Sequence, residues 1–307
     1  MSFLPIRVST LRGDQAIDFD TYVKINEKQI LYLRKGDSFE GPRLKRLKGK
    51  KLKKMYIMEN DEGLYRNYLT KNIEMAYDPK SEKSVQTRSE IIQGLQQSNA
   101  EAVIEDVDNA EAYQKAKDEC ARFVDFLIRE DEALVHIIGQ ENLDKNLAHH
   151  GVTVATLATA IAKRLGTVDP RQIHILSLGA LIHDIEHFYT ALDVARPRSA
   201  FTPVEAKVYQ THPTDGARRL SEKRHMDPQV VKIIAQHEEQ IDGKGFPVGL
   251  QENQLDPLAQ IVSSANALDR LITFENVPRN SSVKKLMINH VGSYPLSHIQ
   301  ILGDIVG

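Results

Sequence analysis

Residues 169–187 read DPRQIHILSLGALIHDIEH, and this stretch decides the fold class. Asp169-Pro170 sets a capping carboxylate before a proline suited to the first helical position, so a helix begins here. Ile173, Leu176, Ala180, Leu181 and Asp184 then recur at i, i+3, i+7, i+8 and i+11, the spacing of one helical face. The apolar stripe therefore ends in a carboxylate, with His183 about 100° around the helix from it. A buried carboxylate is costly unless it neutralises, pairs or coordinates a cation.

Working outward, the same punctuation repeats. Thr202-Pro203, Asp227-Pro228 and Asp256-Pro257 are further cap–proline pairs, and Thr202-Pro203-Val204-Glu205 has capping-box spacing. A helix from about Asn146 closes at Leu165-Gly166, where glycine takes the left-handed cap. A long helix is predicted over Ala110–Gly139, from the helical recurrence of Ala112, Ala116, Cys120, Phe123, Val124 and Leu127. Cys120 lies on that stripe and reads as core rather than as a nucleophile. Successive helices with short connectors describe an all-α helical bundle over 110–307. Upstream, residues 1–77 read as a small mixed α/β accessory domain of sensory or regulatory type. Its strands are Tyr22–Ile25 and Gln29–Leu33, a hairpin around Asn26-Glu27-Lys28, and Met55–Met58. Residues 78–109 turn polar, as a linker with helical stretches does. The fold class is α+β overall.

Composition bounds the function. With 41% hydrophobic and 27% charged residues and a formal charge of -2, the chain is of ordinary soluble type. No stretch approaches the roughly 20 apolar residues of a membrane span. The opening MSFLPIRVST lacks the charged start and apolar run of a secretory signal, and a single cysteine fits a reducing compartment. The expectation is a cytoplasmic protein. Arg43–Lys54 carries eight Lys/Arg in twelve positions with Leu44, Leu47 and Leu52 interleaved. That run reads as a solvated helix face or loop anchored by its leucines. Nucleic acid is disfavoured as a partner, because the run is short and poor in aromatics.

Nine of the 11 histidines lie between His136 and His237, and none precedes them. His150 heads the stripe Val154, Leu157, Ala158, Ile161, Ala162 and Leu165. Val230, Ile233 and Ile234 lead to His237, and His212 stands before Pro213. One histidine on an apolar face is usually a satisfied core residue. Four of them and a stripe-borne aspartate, on four successive helices, point to a metal centre within a bundle.

The order His150, His183-Asp184, His212-Pro213, then His237-Glu238-Glu239-x-x-Asp242-Gly243-x-Gly245-Phe246-Pro247-x-Gly249-Leu250 resembles the HD-GYP family. The resemblance runs from about residue 120 to about residue 275. It implies an HD-superfamily phosphodiesterase that hydrolyses cyclic-di-GMP to pGpG or GMP with clustered iron or manganese. It also implies His150, His183, Asp184, His212 and His237 as metal ligands, with Asp184 bridging two divalent ions. Such ions, about 3.5–4 Å apart, share a hydroxide nucleophile and polarise the phosphodiester. Iron suits these donors best, with manganese or zinc as alternatives.

The chain departs from the family pattern at several positions. Glu238 stands where the family has a second histidine, and Asn266 where it has its late aspartate; both keep an oxygen ligand. His187 replaces a lysine, as a substitute ligand or proton donor, and is grouped with Asp184 and Lys244 as catalytic. Asn146 replaces the glutamate one turn before His150, which weakens a third metal position. Phe246 replaces the name-giving tyrosine and keeps its ring. The family's basic grip is missing from Leu271–Val277, leaving Arg270 and Arg279 as nearby cations. Lys244, Phe246, Pro247 and Arg270 are the expected substrate contacts, and His149 and His174 are peripheral. The expected partner is a cyclic dinucleotide or another nucleotide, alongside signalling proteins. Two alternatives stand: a catalytically weak module that binds nucleotide or protein in bacterial signalling, and a phosphohydrolase for another nucleotide.

Overall fold

A computed structural model describes residues 2–13, 15–39, 42–50, 52–142 and 145–306. Lys51 of the basic run, and the side chains of Pro42, Lys45 and Lys48, lie outside the described residues. The chain forms two compact units, Met1–Ser98 and Asn99–Gly307.

The first unit is built on an antiparallel sheet of β1 (Phe3–Arg7), β2 (Thr21–Ile25), β3 (Lys28–Leu33) and β4 (Lys54–Met58), in the order β1-β4-β2-β3. Asn26 and Glu27 join β2 to β3 with φ of 48° and 63°, the two-residue turn whose twist matches a hairpin. α1 (Pro42–Gly49) carries the basic run. Leu47 is buried and Leu44 packs on the same core, while Arg43 and Arg46 face solvent. The leucines thus anchor a solvated helix face. α2 (Glu62–Tyr77) follows, and α3 (Val85–Glu105) runs through the polar stretch, with the division between units falling inside it.

The second unit is all-helical: α4 (Ala110–Arg129), α5 (Asp131–Ile138), α6 (Leu147–Leu165), α7 (Pro170–Ile182), α8 (Pro203–Ser221), α9 (Pro228–Gln236), α10 (Pro257–Thr273), α11 (Arg279–Asn289) and α12 (Leu296–Val306). α6 is its axis, buried at every position from Ala148 to Ala162 and packed against α4, α5, α7, α10 and α12. The Asn146 side chain accepts the Ala148 and His149 amides to start α6, and Gly166 ends it at φ 67°. Thr202 and Glu205 close a reciprocal capping box on α8.

Three expectations are corrected here. The helix predicted over Ala110–Gly139 is two helices, because Glu130 leaves helical geometry at φ -113°, ψ 89°. Lys163 of α6 holds this break by donating to the Ile128 carbonyl and Asp131, and Asp131 and Glu132 supply a new acidic first turn. Asp227 does not cap α9; its carboxylate instead accepts from Tyr113 Oη and Lys117 Nζ. α7 ends at Ile182, so His183 sits at its C-terminus and Asp184 leads a 3-10 turn over Ile185–Tyr189. Among the described residues no helix is long and apolar enough to cross a membrane.

Candidate metal centre

Helix ends and one close approach assemble the cluster. Gly151 follows His150 because a Cβ there would stand 2.1 Å from the Leu181 carbonyl oxygen. This glycine lets α6 and α7 touch, bringing the His150 and His183 rings to 5.0 Å. His237 ends α9 as His183 ends α7, and His212 enters from mid-α8.

The imidazole tautomers are fixed by local hydrogen bonds. His183, His212 and His237 each direct Nδ1 at the carbonyl three residues earlier, of Ala180, Tyr209 and Ile234, at 2.7, 2.5 and 2.7 Å. With Nδ1–H used there, each Nε2 presents a lone pair inward. His150 directs Nδ1 to Asp269 Oδ2 at 2.5 Å, which fixes it the same way.

All of these Nε2 atoms surround Asp184. From Oδ1 the distances are 3.3 Å to His212, 3.3 Å to His237, 3.5 Å to His183 and 3.9 Å to His187, and Oδ2 lies 3.6 Å from His150. His212 and His237 approach each other Nε2 to Nε2 at 2.9 Å. Two inward lone pairs that close repel, and a shared cation removes the repulsion. Neither Asp184 oxygen, nor His183 Nε2, nor either nitrogen of His187 has a hydrogen-bond partner, although all are buried. Buried polar atoms left this way call for an ion. The residues therefore fit a divalent metal site. Three groups of converging donors stand ready: His150, His183 and Asp184; Asp184, His187 and His212; His212, His237 and Glu238.

The electrostatics agree. Burial pushes His183 down to about 3, so its imidazole is neutral. Burial likewise lowers His212, and drives His187 well below its ordinary value. Neutral imidazoles at His183, His187 and His212 are in the form in which a metal takes them.

The structure thus brings together His150, His183, Asp184, His187, His212, His237, Glu238 and Asn266. Asn266 Oδ1 stands 3.1 Å from His150 Nε2, and its Nδ2 donates to Glu238 at 3.3 Å. Glu238 also accepts from Tyr209 Oη at 2.5 Å and from Arg198 Nη2 at 2.9 and 3.1 Å. Phe246 reaches the edge of the cluster, its ring 6.2 Å from His212 and 5.8 Å from Tyr209. Pro247 and Lys244 are exposed, and Lys244 Nζ pairs with Asp242 at 3.2 Å. Asn146 serves as the α6 cap. His149 is buried at the start of α6 outside the three donor groups, and His174 pairs with Asp125.

Sequence reasoning missed four residues. Asp269 orients His150, and its signal was a carboxylate on the apolar stripe of α10. Tyr209 packs its ring against His187 at 5.2 Å and gives its carbonyl to His212. Arg198, from a 3-10 turn over Arg198–Ala200, carried no signal. Glu239 is buried and accepts the Val248, Gly249 and Leu250 amides, so the loop over Gly243–Leu250 folds around one carboxylate. A cavity of about 300 Å³ opens beside the cluster, lined in part by Glu238, Asn266, Arg198 and Arg270.

Residues 131–288 match the HD domain family. The solved structure of Bd1817, an HDG"Y"P protein from Bdellovibrio bacteriovorus, superposes with a TM-score of 0.95 at 54% identity, over 99% of both chains. The chain belongs to the HD-GYP family. A cyclic di-GMP phosphodiesterase of Pseudomonas aeruginosa is 29% identical over 145 residues, which is 47% of this chain and 35% of its own length. The cyclic di-GMP phosphodiesterase PdeB of Borreliella burgdorferi is 22% identical over 174 residues, 50% of this chain and 45% of its own. The chain spans less than half the length of these curated relatives.

Proposed function

We propose that this HD-GYP protein is a metal-dependent phosphodiesterase that hydrolyses cyclic-di-GMP to pGpG or GMP at a dinuclear centre. The supporting observation is the convergence of five Nε2 atoms on Asp184, with three imidazoles locked by their own helices. Asp184 belongs to two of the three donor groups, and as a carboxylate with two oxygens it would be the ligand held in common if two ions bind. When bound, divalent ions supply a water deprotonated near neutral pH and Lewis-acid polarisation of the phosphodiester. Iron suits the histidine–carboxylate donors, and manganese or zinc fits the same set.

The chain's own residues do the rest. His150, His183, His212 and His237 would hold the ions, their Nε2 atoms gathered around Asp184. Asp269 keeps His150 in the binding tautomer. Phe246 offers a ring face to the ligand at the edge of the cluster. His187 is a further nitrogen donor where the family pattern has a cation.

The alternative of a weakly catalytic binding module draws support from one observation. Glu238 accepts from Arg198, Tyr209 and Asn266, and these hydrogen bonds compete with a metal ion for its oxygens.

The test is anaerobic reconstitution of wild type and Asp184→Ala with Fe(II) or Mn(II), followed by metal analysis and chromatography of cyclic-di-GMP products. We expect about two ions per wild-type chain, with linear product from wild type alone and a loss of bound metal in the variant. Fully metallated wild type that forms no product would sink the hydrolase reading and leave the binding module.

A further inference from the structure

The mechanism above leaves one buried charge without a role. Arg270 is 3% exposed, and its Nε, Nη1 and Nη2 all lack a hydrogen-bond partner. It sits one helical turn beyond Asn266 on α10, so the two side chains share a face. Its guanidinium carbon lies 4.9 Å from the Tyr209 ring and 5.0 Å from that of Phe274. These aromatic contacts stabilise a weakly hydrated cation but satisfy none of its in-plane donors.

The carboxylates of the adjoining cavity are committed to another arginine. Glu238 takes the Arg198 guanidinium, and Glu275 Oε1 takes the Arg198 amide at 2.9 Å. No ion pair to Arg270 occurs among the described residues. A buried guanidinium whose donors are all unbonded is unfavourable until an acceptor joins it, even with the Glu238 charge nearby. The cavity it lines, about 300 Å³, holds far more than a lone ion, since one water takes roughly 30 Å³ in the liquid. Beside Arg270 and the paired Arg198, Lys285 adds a further cation to its wall, and Tyr294 and Asn289 add neutral polar groups.

We propose that this cavity is a subsite for a second phosphate of the ligand, gripped by the Arg270 fork while another phosphate lies at the metal cluster. The inference deepens the phosphodiesterase reading and rests on it for the position of that other phosphate. A planar guanidinium takes two phosphate oxygens at once, and the spare volume accommodates the sugar attached. The subsite selects ligands that carry two phosphates, cyclic or linear dinucleotides, over mononucleotides. It supplies from α10 the cationic grip that is missing from Leu271–Val277.

The experiment is calorimetric titration of metal-loaded full-length protein with hydrolysis-resistant phosphorothioate forms of cyclic-di-GMP and linear pGpG, and with GMP. Arg270→Gln is compared with Lys284→Gln, which removes an equal charge from outside the cavity. Hydrogen bonds from a charged donor predict a loss on the order of 10- to 100-fold in dinucleotide affinity for Arg270→Gln. GMP should bind weakly throughout, and Lys284→Gln should follow wild type. A larger loss for pGpG identifies a terminal monoester as the bound group, whereas equal losses identify the phosphate common to both dinucleotides. Thermal midpoints separate binding from folding: removing a buried cation whose donors are unbonded should leave the Arg270→Gln midpoint at or near that of wild type. Unchanged dinucleotide affinity in Arg270→Gln, or no binding by wild type, overturns the subsite. Failure of the hydrolase reading looks different, with binding that depends on Arg270 but no product from metallated protein.

Discussion

Asp269 is the residue whose removal should speak most directly about the cluster. It touches His150 Nδ1 at 2.5 Å and also accepts from Thr273 Oγ1 at 3.2 Å. A carboxylate behind a metal-binding imidazole fixes its tautomer and raises its basicity, and losing one typically weakens metal affinity about 10- to 100-fold. Asp269→Asn preserves shape but replaces the carboxylate with a neutral amide, a weaker acceptor that no longer raises the basicity of His150. We expect its Mn(II) or Zn(II) affinity, measured against a competing chelator, to fall by about that factor with the fold intact. Affinity equal to wild type would remove Asp269 from the site. His150, Asp184 and His237 were legible in the sequence because each stands at the end of an apolar stripe, where a polar group needs a reason, whereas His183 and His212 were picked out by their order around these residues. Arg198 and Tyr209 were not. Their roles arise from partners 40 and 29 residues away, and neither breaks a periodic pattern.

The packing of α12 on α10 carries a measurable pH dependence. His298 Nδ1 lies 3.0 Å from Ser264 Oγ, whose own proton goes to the Gln260 carbonyl, so the histidine donates and stays neutral. Burial lowers it to about 4, against an ordinary value near 6.5. The unfolded chain therefore gains a proton below about pH 6.5 that the folded chain refuses until about pH 4. Stability from this group is full above that window and is lost as pH falls through it, by on the order of 3 kcal/mol at most. His298→Gln should flatten the fall in urea-unfolding free energy between those limits in metal-free protein, and parallel curves for variant and wild type would refute it. The elements of this unit were readable because caps, prolines and a period of 3.6 agreed over long stretches. The break at Glu130 escaped because its cause is Lys163, on a different helix. β1 escaped because Pro5 interrupts a five-residue run; the strand sits at the sheet edge, where a missing amide donor is tolerated.

At the scale of the molecule, metal and stability are linked in one unit only. Every proposed ligand lies within Asn99–Gly307, whereas the Met1–Ser98 unit has its own core around Ile6, Phe19, Phe39, Met55 and Ile57. Without an ion, the bundle confines five inward imidazole nitrogens and a carboxylate in a dry interior, including the 2.9 Å approach of His212 to His237. The ion binds these donors only when the helices hold them together, so its binding energy is added to folding. At an ion concentration a hundredfold above Kd this amounts to about 2.7 kcal/mol. Chelation should therefore lower the unfolding midpoint of the bundle reversibly. In hydrogen exchange, amides of α6, the ends of α7 and α9, mid-α8 and α10 should lose protection, while those of β1 to β4 keep theirs. The ligands sit at helix termini and mid-turns with little freedom to collapse inward, so loosening begins where they attach. Protection lost equally over the sheet, or nowhere, would mean that these side chains are satisfied without an ion and that the cluster is polar packing in the core.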